Sequence, residues 1–182
     1  MRFLLFFLLL ASCAAPLPTP RAASPTRSRY VPIIADQTFT ERERYLLASA
    51  IAQLEYQTAG ALDITVSYTN DILIMNLLRV ESPFDMVRNV DKQYGGKVYG
   101  YTYQDGRMFL VGDRLDDDDV VFVHVAQHEI LHHVGLDHVK SKSSIMYLVT
   151  NATQHVTCMD AVDAAEFCRV VGCDAQGLNF CR

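Results

Sequence analysis

Basic residues form no cluster anywhere in this 182-residue chain, and its formal net charge is −5. That removes the electrostatic footprint of a nucleic-acid binder. No apolar run reaches the roughly 20 residues a helix needs to cross a bilayer's hydrocarbon. Internal repeats are absent as well. Cysteine is missing between positions 13 and 158, so any cross-linked framework is confined to the C-terminal end. What remains is an ordinary balance, half apolar and one fifth charged. It suits one soluble globular domain with a sizeable core.

The N-terminus is less ordinary. "MRFLLFFLLLASC" carries one positive residue, Arg2, and then an unbroken apolar run from Phe3 to Leu10. The run is too short to span and has the form of a signal-peptide core, so residues 1–12 are expected to be removed and the protein exported. Leu10-Ala11-Ser12-Cys13 resembles the lipobox of bacterial lipoproteins. That resemblance implies acylation of Cys13 and a lipid anchor in a cell-envelope membrane, at the outer membrane or cell surface. A plain secretory signal, with Cys13 discarded or free, is the alternative. Residues 13–29 then form a lipidated cysteine and a flexible tether rich in Pro, Ala, Ser and Thr, and the domain spans 30–182.

Four cysteines remain, Cys158, Cys168, Cys173 and Cys181, an even number that agrees with export. Thr157 and Asp160 form a capping-box pattern and Gly172 is a natural stop, so a helix is expected over 158–171. On such a helix Cys158 lies about 15 Å from Cys168 and farther from Cys173, beyond the roughly 7 Å limit for a disulfide. Elimination gives Cys168–Cys173 and Cys158–Cys181. A C-terminal zinc site built from the four is the alternative.

Along the domain, "YVPIIAD" (30–36) reads as a strand. Thr40 and Glu43 form a capping box ahead of apolar Leu47, Ile51 and Leu54, a helix that stops at Gly60. "LDITVSY" (62–68) and "ILIMNLLRV" (72–80) read as strands, the second central because its apolar character is continuous. "KVYGYTY" and "RMFLVGD" flank "QDG" as a hairpin. "DDDD" (116–119) reads as a helix start, with a calcium site as the alternative. A further helix carries "VVFVHVAQHEILHHV". Strand, helix, strands, helix and terminal helix make an α+β domain.

Four of the six histidines fall within "HEILHHVGLDH" (128–138). On a helix, His128 and His132 are four apart and share a face, so both rings can reach one ion. Glu129 is placed to contact a water rather than the ion. Gly135 can adopt the positive φ that ends the helix, and His138 follows three residues later as a third ligand. At this chain's own residue frequencies, the five fixed letters of HExxHxxGxxH would arise in roughly one such chain in 100,000. A solvated histidine-rich helix does not explain the glycine and the third histidine together.

HExxHxxGxxH is the zinc signature of the metzincins. That family also carries a methionine turn below the metal, here matched by "SSIMYLV" with Met146. "VGLDH" followed by "IMY" most resembles the matrixins, the matrix metalloproteinase group, over about 20 residues. The resemblance implies a zincin-like fold: a twisted mixed sheet, a long N-terminal helix, an active-site helix, a methionine turn and a C-terminal helix. It implies one catalytic Zn2+ on His128, His132 and His138. It further implies an endopeptidase in which Glu129 takes the proton of the attacking water and passes it to the leaving nitrogen. A protein or peptide substrate lies beside an edge strand, for which the 98–111 hairpin is the candidate. Tyr147, Leu148, Val149 and Thr150 wall the pocket beyond the scissile bond.

The chain also departs from the family. The tether holds no cysteine to block zinc, the structural zinc and calcium segment is not recognisable in 84–118, and the four C-terminal cysteines are not part of the usual pattern. His124 is expected to pack or to support a ligand, His133 to lie on the surface, and His155 to stand alone. A non-catalytic zinc-containing surface lipoprotein that binds a partner is the competing function. An aminopeptidase would need an acidic anchor that the sequence does not offer.

Overall fold

The computed structural model describes residues 28–148 and 156–181. Cys13, Val149, Thr150 and His155 lie outside them, as does most of the segment read as signal and tether. In chain order the elements are β1 (Arg29–Asp36), α1 (Glu41–Gln57), β2 (Leu62–Thr69), β3 (Leu77–Val80), α2 (Asp85–Tyr94), β4 (Gly100–Thr102), β5 (Met108–Val111), α3 (Gly112–Leu115), α4 (Asp119–Val134) and α5 (Ala161–Val171), with a last 3-10 turn at Ala175–Gly177. One five-stranded sheet runs in the order β2-β1-β3-β5-β4. Its pairings are parallel except the last, where β4 lies antiparallel to β5 as an edge strand.

Alternation sets the faces of the sheet. Val31, Ile33 and Ala35 of β1, with Met108 and Leu110 of β5, point into the main core. α1 contributes Leu46, Leu47, Ala50 and Leu54 to that core, and α4 adds Phe122, Ala126, Ile130 and Leu131. Phe109 and Val111 face the other way, into a smaller core closed by Val87 and Val90 of α2. α4 is therefore buried against α1 on one side and against β4 and β5 on another, which explains its apolar residues around most of its circumference.

Several expectations need correction. The strand expected over 72–80 begins only at Leu77; Ile72, Leu73 and Ile74 are exposed on a turn. Asp71 accepts from the Leu73 N–H there, an Asx turn, and Asn76 takes a backbone's place in the ladder. Its side chain accepts from Ile34 N–H and donates to the Pro32 carbonyl. The hairpin strands are shorter than the sequence suggests, with 112–115 turning into helix. α5 starts at Ala161 rather than 158, and its capping box is Asp160 with Asp163, not Thr157 with Asp160. Cys158 thus precedes the helix. Cys158 is bonded to Cys181 and Cys168 to Cys173, with Cα separations of 5.9 and 4.5 Å.

A candidate metal centre at the end of a buried helix

Asp118 starts α4 by accepting from the N–H groups of Val120 and Val121, and Asp119 pairs with Arg42. Two of the four aspartates are thereby given ordinary structural tasks, as expected of a helix start. At the other end, Gly135 adopts φ 110 and its N–H is shared between the carbonyls of Leu131 and His132, while Leu136 N–H also donates to Leu131 O. The chain can then double back, which places His138 opposite the helix.

The three Nε2 atoms of His128, His132 and His138 stand 3.0, 3.0 and 3.2 Å from one another. Tetrahedral Zn–N bonds of about 2.0–2.1 Å would separate such nitrogens by about 3.3 Å. The Nδ1 atoms of His128 and His132 each lie 2.7 Å from a backbone carbonyl, of Ile145 and Leu136 respectively. A carbonyl only accepts, so each Nδ1 carries the proton and each Nε2 keeps its lone pair. Two such lone pairs aimed at one point beside the Nε2 of His138 suit a cation, and zinc fits this all-imidazole donor set. Among the described residues, this is the group of three or more ligating side chains that converges on one point.

Burial keeps the rings in the form a metal needs. It drives the His128 imidazolium well below its usual range, with the neighbouring His132 adding to the effect, and lowers His132 in the same way. His138 is pushed down to about 4, again mainly by burial. Neutral imidazoles bind metal without first losing a proton. Glu129, 5% exposed, is pushed up to about 8 by burial, against the opposing hydrogen bond from Thr102.

The turn that holds Met146 is tied to this centre through the backbone. Met146 is fully buried in the main core, and its carbonyl accepts from Val139 N–H at 3.0 Å. Ile145, beside it, supplies the carbonyl that orients His128. The buried Asp163 of α5 in turn accepts from Ile145 N–H at 2.9 Å and from the Ser144 hydroxyl. Sequence reasoning missed Asp163; an acidic residue three after the helix cap was its signal, but its reach into the turn is tertiary.

The remaining histidines divide. His124 is buried, its Nδ1 2.5 Å from the Val156 carbonyl and its ring 6.1 Å from that of His128. His133 is not a plain surface residue. It is half-buried, and its Nδ1 donates to Gly106 O at 2.7 Å, pinning the β4–β5 turn to α4. A cleft of about 340 Å³ opens beside the triad, lined by Gly100 to Thr102 of the edge strand, by Tyr103 and Gln104 just after it, and by Val121, Val125, Tyr147 and Leu148. Tyr147 and Leu148 thus reach the cleft.

Two imidazoles and a buried glutamate on one helix, with a third imidazole returned by the chain beyond it, face a cleft under the antiparallel edge of a mixed sheet and define a zinc metallopeptidase of the metzincin class. A search of curated proteins found no match. Among solved structures, that of myroilysin shares the fold with a TM-score of 0.52 and 11% identity, covering 80% of this chain and 94% of its own. The matrixin peptidase family model matches residues 30–168. The chain belongs to the matrixin family.

Proposed function

We propose that this protein is a zinc-dependent endopeptidase that cleaves extended protein or peptide segments, with Glu129 as its general base. The observation that carries the reading is the placement of the Glu129 carboxylate, buried at the triad and against the edge strand that borders the cleft. His128, His132 and His138 would hold the ion. Zinc, when bound, supplies a Lewis acid that lowers the pKa of water and polarises a carbonyl oxygen.

The protein's own groups do the rest. Glu129 accepts the proton of the attacking water and delivers it to the peptide nitrogen as the C–N bond breaks, so no covalent enzyme intermediate is required. Burial favours the protonated carboxyl, while a nearby dication opposes it; the balance suits a group that must take and return a proton. β4 binds the substrate backbone. Tyr103 N–H donates to Arg107 O, and Val111 N–H donates to Tyr99 O. Odd-numbered residues of this strand therefore face β5, and the alternation of an antiparallel ladder turns the N–H and C=O of Gly100 and Thr102 outward. An extended peptide can add there as a further strand. Val121, Val125, Tyr147 and Leu148 offer an apolar wall for a side chain beyond the scissile bond.

A peptide-library digest beside metal analysis tests this. The native protein is expected to bind one zinc and cleave. Glu129→Gln should retain zinc and fold while losing at least about 100-fold in rate. Undiminished cleavage by that variant removes the general-base role.

A further inference from the structure

The general base is held from outside its own helix. Thr102 Oγ1 lies 2.7 Å from Glu129 Oε2 and 3.1 Å from the Glu129 backbone carbonyl. A hydroxyl has one hydrogen to give, and the shorter, charge-assisted bond is the one to the carboxylate. Two residues earlier on the same face of β4, Gly100 contributes no side chain. A Cβ there would stand 2.8 Å from Glu129 Cγ, 2.8 Å from Val125 Cγ1 and 3.0 Å from Glu129 Oε1. The carboxylate thus lies along the strand, with Oε2 at Thr102 and Oε1 over Gly100.

We infer that Thr102 is a positioning residue for the general base, holding Oε2 so that Oε1 is the oxygen that takes up the proton. Its two functions point in different directions. The hydroxyl reaches inward to α4, while the backbone N–H and C=O of the same residue face the cleft, where the substrate strand adds. Register of the substrate and orientation of the base are then fixed by one residue of one strand, and an error of about 1 Å in such a group costs on the order of 100-fold in rate. The inference rests on the reading of Glu129 as the base and goes beyond it by assigning how the carboxylate is aimed.

The test is steady-state kinetics on a cleaved peptide, with zinc content measured on each protein. Thr102→Val keeps the shape and removes the hydroxyl; Thr102→Ala is its companion should the added methyl crowd Glu129. Thr102→Ser restores the hydroxyl. Loss of one charge-assisted hydrogen bond predicts a fall in kcat of about 10- to 100-fold for the valine and alanine variants. KM should stay within about twofold, because the outward backbone groups are unchanged, and zinc should remain at one equivalent. The serine variant should recover most of kcat. Native kcat in the valine or alanine variant overturns the assignment. A fall shared equally by the serine variant also overturns it, as does a loss carried by KM or by zinc. If the native protein is active and Glu129→Gln is not, these outcomes count against Thr102 alone; native-like cleavage by Glu129→Gln removes the base itself.

Discussion

Glu129 and Gly100 show how closely a reactive group can depend on a residue with no side chain. Gly100 lies in ordinary strand backbone, so its value is space rather than conformational freedom. A methyl at 2.8 Å from both Glu129 Cγ and Val125 Cγ1 must displace one of them, and neither contact is the loose end of a long side chain. Gly100→Ala is therefore expected to lower kcat by about tenfold or more while leaving zinc content unchanged. Kinetics with parallel metal analysis checks it, and native kcat would show that the neighbours yield without cost. The ligands and the glutamate were legible in the sequence because their spacing follows from helix geometry. Gly100 and Thr102 were not, since nothing in the letters of a strand says which helix residue lies across from it.

Among the elements, α5 and the methionine turn act as one unit. Asp163 closes the capping box through Asp160 N–H and also receives Ile145 N–H and the Ser144 hydroxyl, all in a fully buried position. Removing it leaves several donors without an acceptor, each worth about 1–3 kcal/mol when buried. Asp163→Ala should destabilise the fold by about 3 kcal/mol. Because Ile145 O orients His128, zinc affinity should fall by about 10-fold or more. Denaturant unfolding and chelator competition measure the two effects, and unchanged zinc affinity would uncouple the turn from the metal. The sequence identified α1 through its cap and periodicity, α4 through its acidic start and histidine spacing, and the C-terminal helix through its stop at Gly172, though with the wrong capping box. It did not identify α2, which opens at Phe84 with no side-chain cap. Val87 and Val90, three apart, and the stop at Gly95 were its available signals. At 72–76 the apolar letters misled, because Asp71 and Asn76 divert the backbone bonds a strand would have used.

For the whole molecule, the two disulfides fasten the C-terminal region in different ways. Cys168–Cys173 closes a five-residue step around Gly172, whereas Cys158–Cys181 spans 23 residues and encloses α5. The longer loop restricts the unfolded chain more, and a loop of this size contributes about 3 kcal/mol. Gln57 of α1 reinforces the same point, donating to Thr157 O and accepting from Met159 N–H. Replacing Cys158 and Cys181 together by alanine should lower stability by about 3 kcal/mol, and thermal or denaturant unfolding reads it. An unchanged midpoint would mean that Gln57 and the packing of Met159 already hold the segment.

The sequence by itself determined the ligand triad, its glutamate, the helix that carries them and the turn that brings His138 back. Each is a local consequence of 3.6-residue periodicity and of glycine's access to positive φ. Only the tertiary structure decided which strand of the 98–111 hairpin forms the open edge, that Gly100 and Thr102 of that edge meet Glu129, and that Asp163 steadies the turn behind His128. Those contacts join residues 17 to 29 positions apart. They depend on how the sheet orders its strands against α4, and no local spacing encodes that order.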